Sequence, residues 1–192
     1  GIDPIVTASQ IINNIQTIVS RNLPLTKAAA VVTIGSIHGG VRSNIIPEKL
    51  YMLGTIRTLE ESMKETVLKR LEKIVYKTAE ANNAKVKITY QVSYPITYND
   101  PVLYERMLPS LKRINGDNNV HLMTAITGAE DFSFFQKEIP GMYFFIGGAK
   151  KGTDPNNAAP HHTPDFYVDD SAMITGIKSM STLALDYLKD NK

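Results

Sequence analysis

From Ile5 onward the apolar positions return at helical spacing: Ile5, Ala8, Ile11, Ile12, Ile15, Ile18 and Val19 share one face. Asp3 can cap the free amides, and Pro4 at the first helical position gives up a hydrogen bond that would be unmade anyway. Asn22-Leu23-Pro24 stops this helix. The run at 28–37 (AAAVVTIGSI) is rich in β-branched residues and predicts a strand, as does 50–58 (LYMLGTIRT). Gly39-Gly40 and residues 44–47 form the broad turn between them. Helical period resumes from Glu60 to about Asn83, with Met63, Val67, Leu71, Ile74 and Thr78 on one face. Glu65 and Lys69 are spaced to pair on its wet side. Residues 85–94 alternate, with Val86, Ile88, Tyr90 and Val92 inward, as in a half-exposed strand.

Residues 94–101 (YPITYNDP) read as a linker and divide the chain into segments 1–94 and 95–192. Beyond it the pattern predicts a helix at about 101–114, a strand at 120–124, a turn at Thr127-Gly128-Ala129 and a short helix from Asp131. A strand at 142–146, a polar loop at 147–166 and a last helix at about 169–188 follow. Met173, Ile177, Met180, Ala184 and Leu188 are expected to face inward on that helix. The order α-β-β-α-β of the first half is a ferredoxin-like β-α-β-β-α-β lacking its first strand. The order α-β-α-β-α of the second suits part of an α/β layer.

Composition narrows the function classes. Lysine and arginine total 21 against 19 aspartates and glutamates, a net charge of +2, which gives no electrostatic case for a nucleic-acid or polybasic membrane binder. No apolar run approaches the roughly 20 residues that span a bilayer. Hydrophobic residues make up 43% of the chain, enough for a packed core. The chain has no cysteine, which removes disulfides, thiolate metal sites and a cysteine nucleophile and fits a reducing cytoplasm. Gly1-Ile2-Asp3-Pro4 has neither a basic start nor an apolar core and is no signal peptide; without an initiator methionine, the chain reads as a piece of something longer.

Several residue groups could carry chemistry. His161-His162 lies in the long loop, and neutral imidazole is the commonest protein ligand for zinc. Adjacent residues seldom both reach one ion, so at most one of the two coordinates; the plain alternative is two solvated loop histidines. Gly128-Ala129-Glu130-Asp131-Phe132 places two acids at a helix start, where ligands bind in α/β sheets and where acids also simply cap. His38-Gly39-Gly40 with Asn44, and Arg57 near the end of the next strand, could bind a carboxylate, Arg giving a two-pronged contact. His121 gains no role, and Ser133 has no obvious base. No Gly-x-Ser-x-Gly elbow, P-loop or Gly-x-Gly-x-x-Gly motif is present.

Five ordered segments resemble the C-terminal part of metal-dependent amidohydrolases of the aminoacylase/carboxypeptidase type, the group of hippurate hydrolases and hydrolases of indole-acetyl amino acids. They are residues 1–21, HGGVRSNIIPEKLYMLGTIRT (38–58), TGAEDFSFF (127–135), PGMYFFIGG (140–148) and HHTPDFYVDD (161–170). The resemblance implies that 1–94 is most of a ferredoxin-like lid that dimerises, and that 95–192 closes an α/β catalytic domain binding two divalent metals, zinc by first expectation, with cobalt or manganese as alternatives. It assigns His162 as a metal ligand, and Asn44 and Arg57 as contacts to the substrate carboxylate or the reacting amide. Gly128 and Glu130 fall near the substrate. The implied reaction is hydrolysis of an amide beside a free carboxylate, in N-acyl amino acids or short peptides. The remaining metal ligands and the general base are expected in an N-terminal segment, so the fragment alone is expected to be inactive and no catalytic residue is assigned within it. The competing class is a non-enzymatic dimerisation or small-ligand-binding module; RNA binding fits less well, because the sheet lacks the RNP pattern.

The same topology carries a physical expectation. In a ferredoxin-like sheet the missing strand would lie between 50–58 and 85–94, leaving both without their shared neighbour. The gap would be closed by collapse of 85–94 onto 50–58, by a swapped segment or by a companion fragment. A homodimer would form through the outer strand 28–37.

Overall fold

The computed structural model of the chain describes residues 1–91, 94–154 and 157–190. It divides into two compact units, Gly1–Ile96 with Ala125–Ala129, and Thr97–Thr124 with Glu130–Lys192.

In the first unit, helix α1 (Pro4–Asn22) begins as the sequence predicts: Asp3 Oδ1 accepts the amides of Ile5 at 2.8 Å and Val6 at 3.2 Å, and Pro4 follows it. Ala8, Ile11, Ile15 and Ile18 are buried, whereas Ile5 stays exposed, because the contact face starts a turn later. Strands β1 (Ala30–Gly39) and β2 (Leu50–Thr58) pair antiparallel, Val31 opposite Arg57 and Gly39 opposite Leu50. Helix α2 (Glu61–Ala81) buries Met63, Val67, Val75, Thr78 and Ala79. Ile11, Ile15, Ile18, Val32, Val67 and Val75 form one core cluster, with Met52, Ile56, Leu71 and Ile74 packed around it. Burial of each such side chain contributes about 1.5–3 kcal/mol. Polar residues fix how the helices meet: Asn14 Nδ2 donates to Thr78 Oγ1 at 3.2 Å, and Asn82 Nδ2 to Gln10 Oε1 at 2.7 Å.

The hairpin register shifts between Ile34 and Ser36, the signature of a β-bulge with one extra residue on β1. Gly54 lies opposite. A Cβ there would sit 2.4 Å from the Thr33 carbonyl oxygen, so glycine is what allows the two backbones to approach at the bulge.

The expected strand at 85–94 does not form. Among the described residues, 85–91 joins no ladder, although Val86 and Ile88 pack on the core and the predicted alternation of half-buried and exposed positions persists as far as Thr89. Tyr90 is exposed, and Val92 lies outside the described residues. The side-chain pattern sets which face packs, but a strand also needs a partner backbone, and β2 does not supply it. The expected collapse of this segment onto 50–58 is therefore not observed.

The second unit contains α3 (Pro101–Asn115), a 3-10 turn (Asp117–Asn119), α4 (Phe132–Glu138) and α5 (Ser171–Asp190). The strands expected at 120–124 and 142–146 have no regular secondary structure and join no ladder, for the same lack of a neighbour. The inward stripe predicted for α5 is also corrected. Met173, Ile177, Met180, Ala184 and Leu188 are exposed, while Gly176 and Ser179 are buried. This helix meets α3 through polar groups: Asn115 Nδ2 donates to Ser179 Oγ at 3.0 Å, Ser110 Oγ to Asp186 at 2.6 Å, and Arg113 pairs with the same carboxylate. Among the described residues no helix is long and apolar enough to cross a membrane.

Glu60 caps α2, accepting the Met63 amide at 2.9 Å, the Ser62 hydroxyl and the Lys27 ammonium at 2.8 Å. The hydrogen bond from Lys27 is the largest of the influences that lower its carboxyl from the ordinary 4.5 to about 2. Since the folded form titrates lower, the unfolded chain takes up the proton first. The stabilisation is complete above about pH 4.5 and is lost as the pH falls through about 2. Glu60→Gln should therefore melt at lower temperature than the wild type at neutral pH, and the gap should close as the solution is acidified across that window; a circular dichroism melt series against pH reads this.

Candidate functional site

Arg57 stands near the end of β2, its backbone paired with Val31 and its guanidinium exposed. Its Nη1 donates to the main-chain carbonyl of Thr127 at 2.8 Å. That brings Arg57 beside Gly128, the next residue in the chain and itself exposed. Glu130 and Asp131 follow at the start of α4. Asp131 holds the cap position without a side-chain cap hydrogen bond, so simple capping does not account for this acid. The turn is closed by Ser133 instead: its amide and its hydroxyl both donate to the Glu130 carbonyl, at 3.2 and 2.6 Å.

Tyr143 adjoins these acids. Desolvation first, then a hydrogen bond to the Glu130 carboxylate, holds its phenol above the ordinary 10. Its ring lies 5.8 Å from Phe132 and meets Phe145 edge-on at 5.2 Å. Its backbone is held by one side chain, for Asn99 Nδ2 donates to the Tyr143 carbonyl at 2.9 Å while the Tyr143 amide donates to Asn99 Oδ1 at 2.7 Å. Sequence reasoning singled out neither Tyr143 nor Asn99. The signal available was an Asn-Asp-Pro helix start followed about 40 residues later by an apolar strand-like run, and nothing local joins the two.

Asn44 lies elsewhere. It is exposed in the loop joining β1 to β2, beyond the Gly39–Leu50 pair. Seven strand steps of about 3.3 Å put Leu50 roughly 23 Å from Arg57, so Asn44, in the loop before Leu50, lies at the opposite end of the hairpin from Arg57. His38 Nε2 is 2.7 Å from Ser36 Oγ on β1. His121 is exposed on an irregular segment.

The two loop histidines differ in backbone and surroundings. The ring of His161 meets Phe166 edge-on at 4.7 Å. His162 has φ +65°, the left-handed region that an L-residue enters at a conformational cost and that histidine enters more readily than most. Among the described residues, no group of three histidine, aspartate or glutamate side chains is arranged to hold a metal ion. A catalytic zinc takes three protein ligands. The residues present therefore do not make a metal centre by themselves.

The peptidase family M20/M25/M40 matches residues 6–186, and the chain belongs to that family. N-acetyldiaminopimelate deacetylase of Leuconostoc citreum is 32% identical over 185 residues, covering 95% of this chain and 45% of that protein. Thermostable carboxypeptidase 2 of Saccharolobus solfataricus is 33% identical over 189 residues, covering 97% and 46%. Among solved structures, the Bacillus subtilis YXEP protein, a dinuclear metal binding peptidase from the M20 family, superposes with a TM-score of 0.69 at 26% identity, covering 98% of this chain and 47% of that one. The resemblance carried by the five motifs is thus borne out, and the fold is the mixed α/β arrangement of such peptidases. The chain spans less than half the length of the relatives it matches.

Proposed function

We propose that the protein to which this chain belongs hydrolyses an amide bond beside a free carboxylate, in N-acyl amino acids or at the C-terminus of short peptides. The observation that carries this reading is Arg57: an exposed arginine near the end of a paired strand, bonded to the Thr127 carbonyl and so set beside Gly128. A planar fork of donors is suited to a carboxylate. Its family relatives include a deacetylase of an N-acetylated amino acid and a carboxypeptidase, which supports the same substrate class. Residues 1–94 serve as a ferredoxin-like lid. The α-β-β-α order, the antiparallel β1–β2 pair and the core-packed segment after α2 support this, since that topology leaves one strand's place between β2 and 85–91. Residues 95–192 belong to the catalytic domain.

Two divalent metals, zinc first, complete the reaction centre of the full-length protein, and a metal pair there supplies the activated water. His162 is this chain's contribution, and its left-handed backbone supports choosing it over the ring-packed His161. The 192 residues alone hold too few ligands and are inactive. The full-length protein is a cytoplasmic homodimer through the open edge of β1, which pairs on its other side with β2.

Three outcomes test this. In the full-length protein His162→Ala should lose bound zinc and amidase activity together while His161→Ala retains both in larger part; metal analysis beside an assay of N-acyl amino acids reads it, and equal losses would remove the distinction. Arg57→Ala should lower kcat/KM on carboxylate substrates about tenfold to a hundredfold, the effect of losing a charge-assisted hydrogen bond, and should spare the matching carboxamides. An unchanged carboxylate-to-carboxamide ratio would remove Arg57 from this role. A Val31→Pro substitution on the outer strand should shift the sedimenting species from dimer towards monomer, and an unaltered dimer would place the interface elsewhere.

A further inference from the structure

The stretch Ala125–Ala129 interrupts the second unit in sequence yet clusters with the first. It has no regular secondary structure. Among the described residues, the bond from Arg57 to the Thr127 carbonyl is the one hydrogen bond this stretch makes. Viewed from the arginine, the same bond takes one of five guanidinium donors, and among the described residues the other four meet no protein acceptor.

An exposed arginine retains several rotatable bonds, and ordering it on a ligand lowers affinity. A guanidinium already held at Nη1 by a carbonyl at 2.8 Å has its plane restricted. The opposite edge, Nε–H with an Nη2–H, is the edge that accepts a carboxylate in two parallel bonds. The two partners do not compete, since they use different donors of the fork.

We propose that the main-chain carbonyl of Thr127 is a positioning group for Arg57, holding the guanidinium so that its Nε/Nη2 edge is aimed at the ligand carboxylate. The loop at 125–129 is then a specificity element for that carboxylate, acting through Arg57 and not by touching the ligand. This rests on the reading of Arg57 given above. The Thr127 side chain takes no part: its hydroxyl makes no hydrogen bond among the described residues. Lysine at 57 would not substitute for arginine, because a single ammonium cannot hold the carbonyl and present a separate fork.

The test replaces the Thr127–Gly128 amide by an ester in the full-length protein, which weakens the Thr127 carbonyl as an acceptor and leaves every side chain in place. The Gly128 amide so removed makes no hydrogen bond among the described residues. The ratio of kcat/KM on N-acetyl amino acids to that on their carboxamides is measured for wild type, ester, Arg57→Ala, Arg57→Lys and Thr127→Val. The expected result is a ratio lowered about threefold to tenfold by the ester, the effect of weakening without removing the hydrogen bond from the guanidinium to the carbonyl. A larger fall is expected in both arginine variants and none in Thr127→Val. A ratio unchanged by the ester but lowered by Arg57→Ala would overturn the positioning role and leave the carboxylate reading standing. If Arg57→Ala leaves the ratio unchanged, that reading fails and this proposal fails with it. A fall in Thr127→Val equal to the ester's would assign the effect to the side chain and overturn the proposal.

Discussion

The contact on which the first unit depends is the burial of one helical stripe, Ile11, Ile15 and Ile18, against Val32 of the hairpin and Val67 and Val75 of α2. These side chains are close to fully buried, and each apolar group removed from water is worth more than any exposed ion pair in the same unit. Everything that follows is placed by this packing. It fixes which face of β1 and β2 is inward, and because side chains alternate along a strand, it sends Arg57 to the outer face. The bulge opposite Gly54 adjusts the register midway along the hairpin, so both ends of β2 keep their backbone pairs.

In the second unit, α3 buries Met107 and Leu111, and polar groups also join it to α5. Asn115 bonds to Ser179, and Ser110 and Arg113 to Asp186, between α3 and α5. Polar contacts of this kind contribute modest net energy but fix geometry, since each buried donor left without its acceptor is destabilising. The apolar stripe of α5, Met173, Ile177, Met180 and Leu188, is exposed. Asn99 does similar work between distant segments, its amide standing in for a strand's backbone beside Tyr143 and so setting that ring against the acids at 130 and 131.

The membership of the chain in the M20/M25/M40 peptidases gives these features a common purpose. Within the first unit the bond from Arg57 to the Thr127 carbonyl brings the arginine beside Gly128. Asn44 lies at the far end of the same hairpin, and His162, in the second unit, has a left-handed backbone in its loop.

The sequence alone determined the helices, the two paired strands and the family. Helical stripes, a cap such as Asp3, and β-branched runs are local signals, and local energetics suffice to read them. It also marked the chemically capable residues, because histidine, arginine and paired acids in ordered motifs are visible without coordinates. The tertiary structure decided the rest. Segments 85–91, 120–124 and 142–146 have strand composition but no ladder, since a strand exists through a neighbour's backbone and not through its own residues. The face that α5 buries carries Gly176 and Ser179, the latter bonded to Asn115 of α3, and Arg57 is held beside the Thr127 loop, 70 residues away in sequence, by a hydrogen bond that no local pattern encodes.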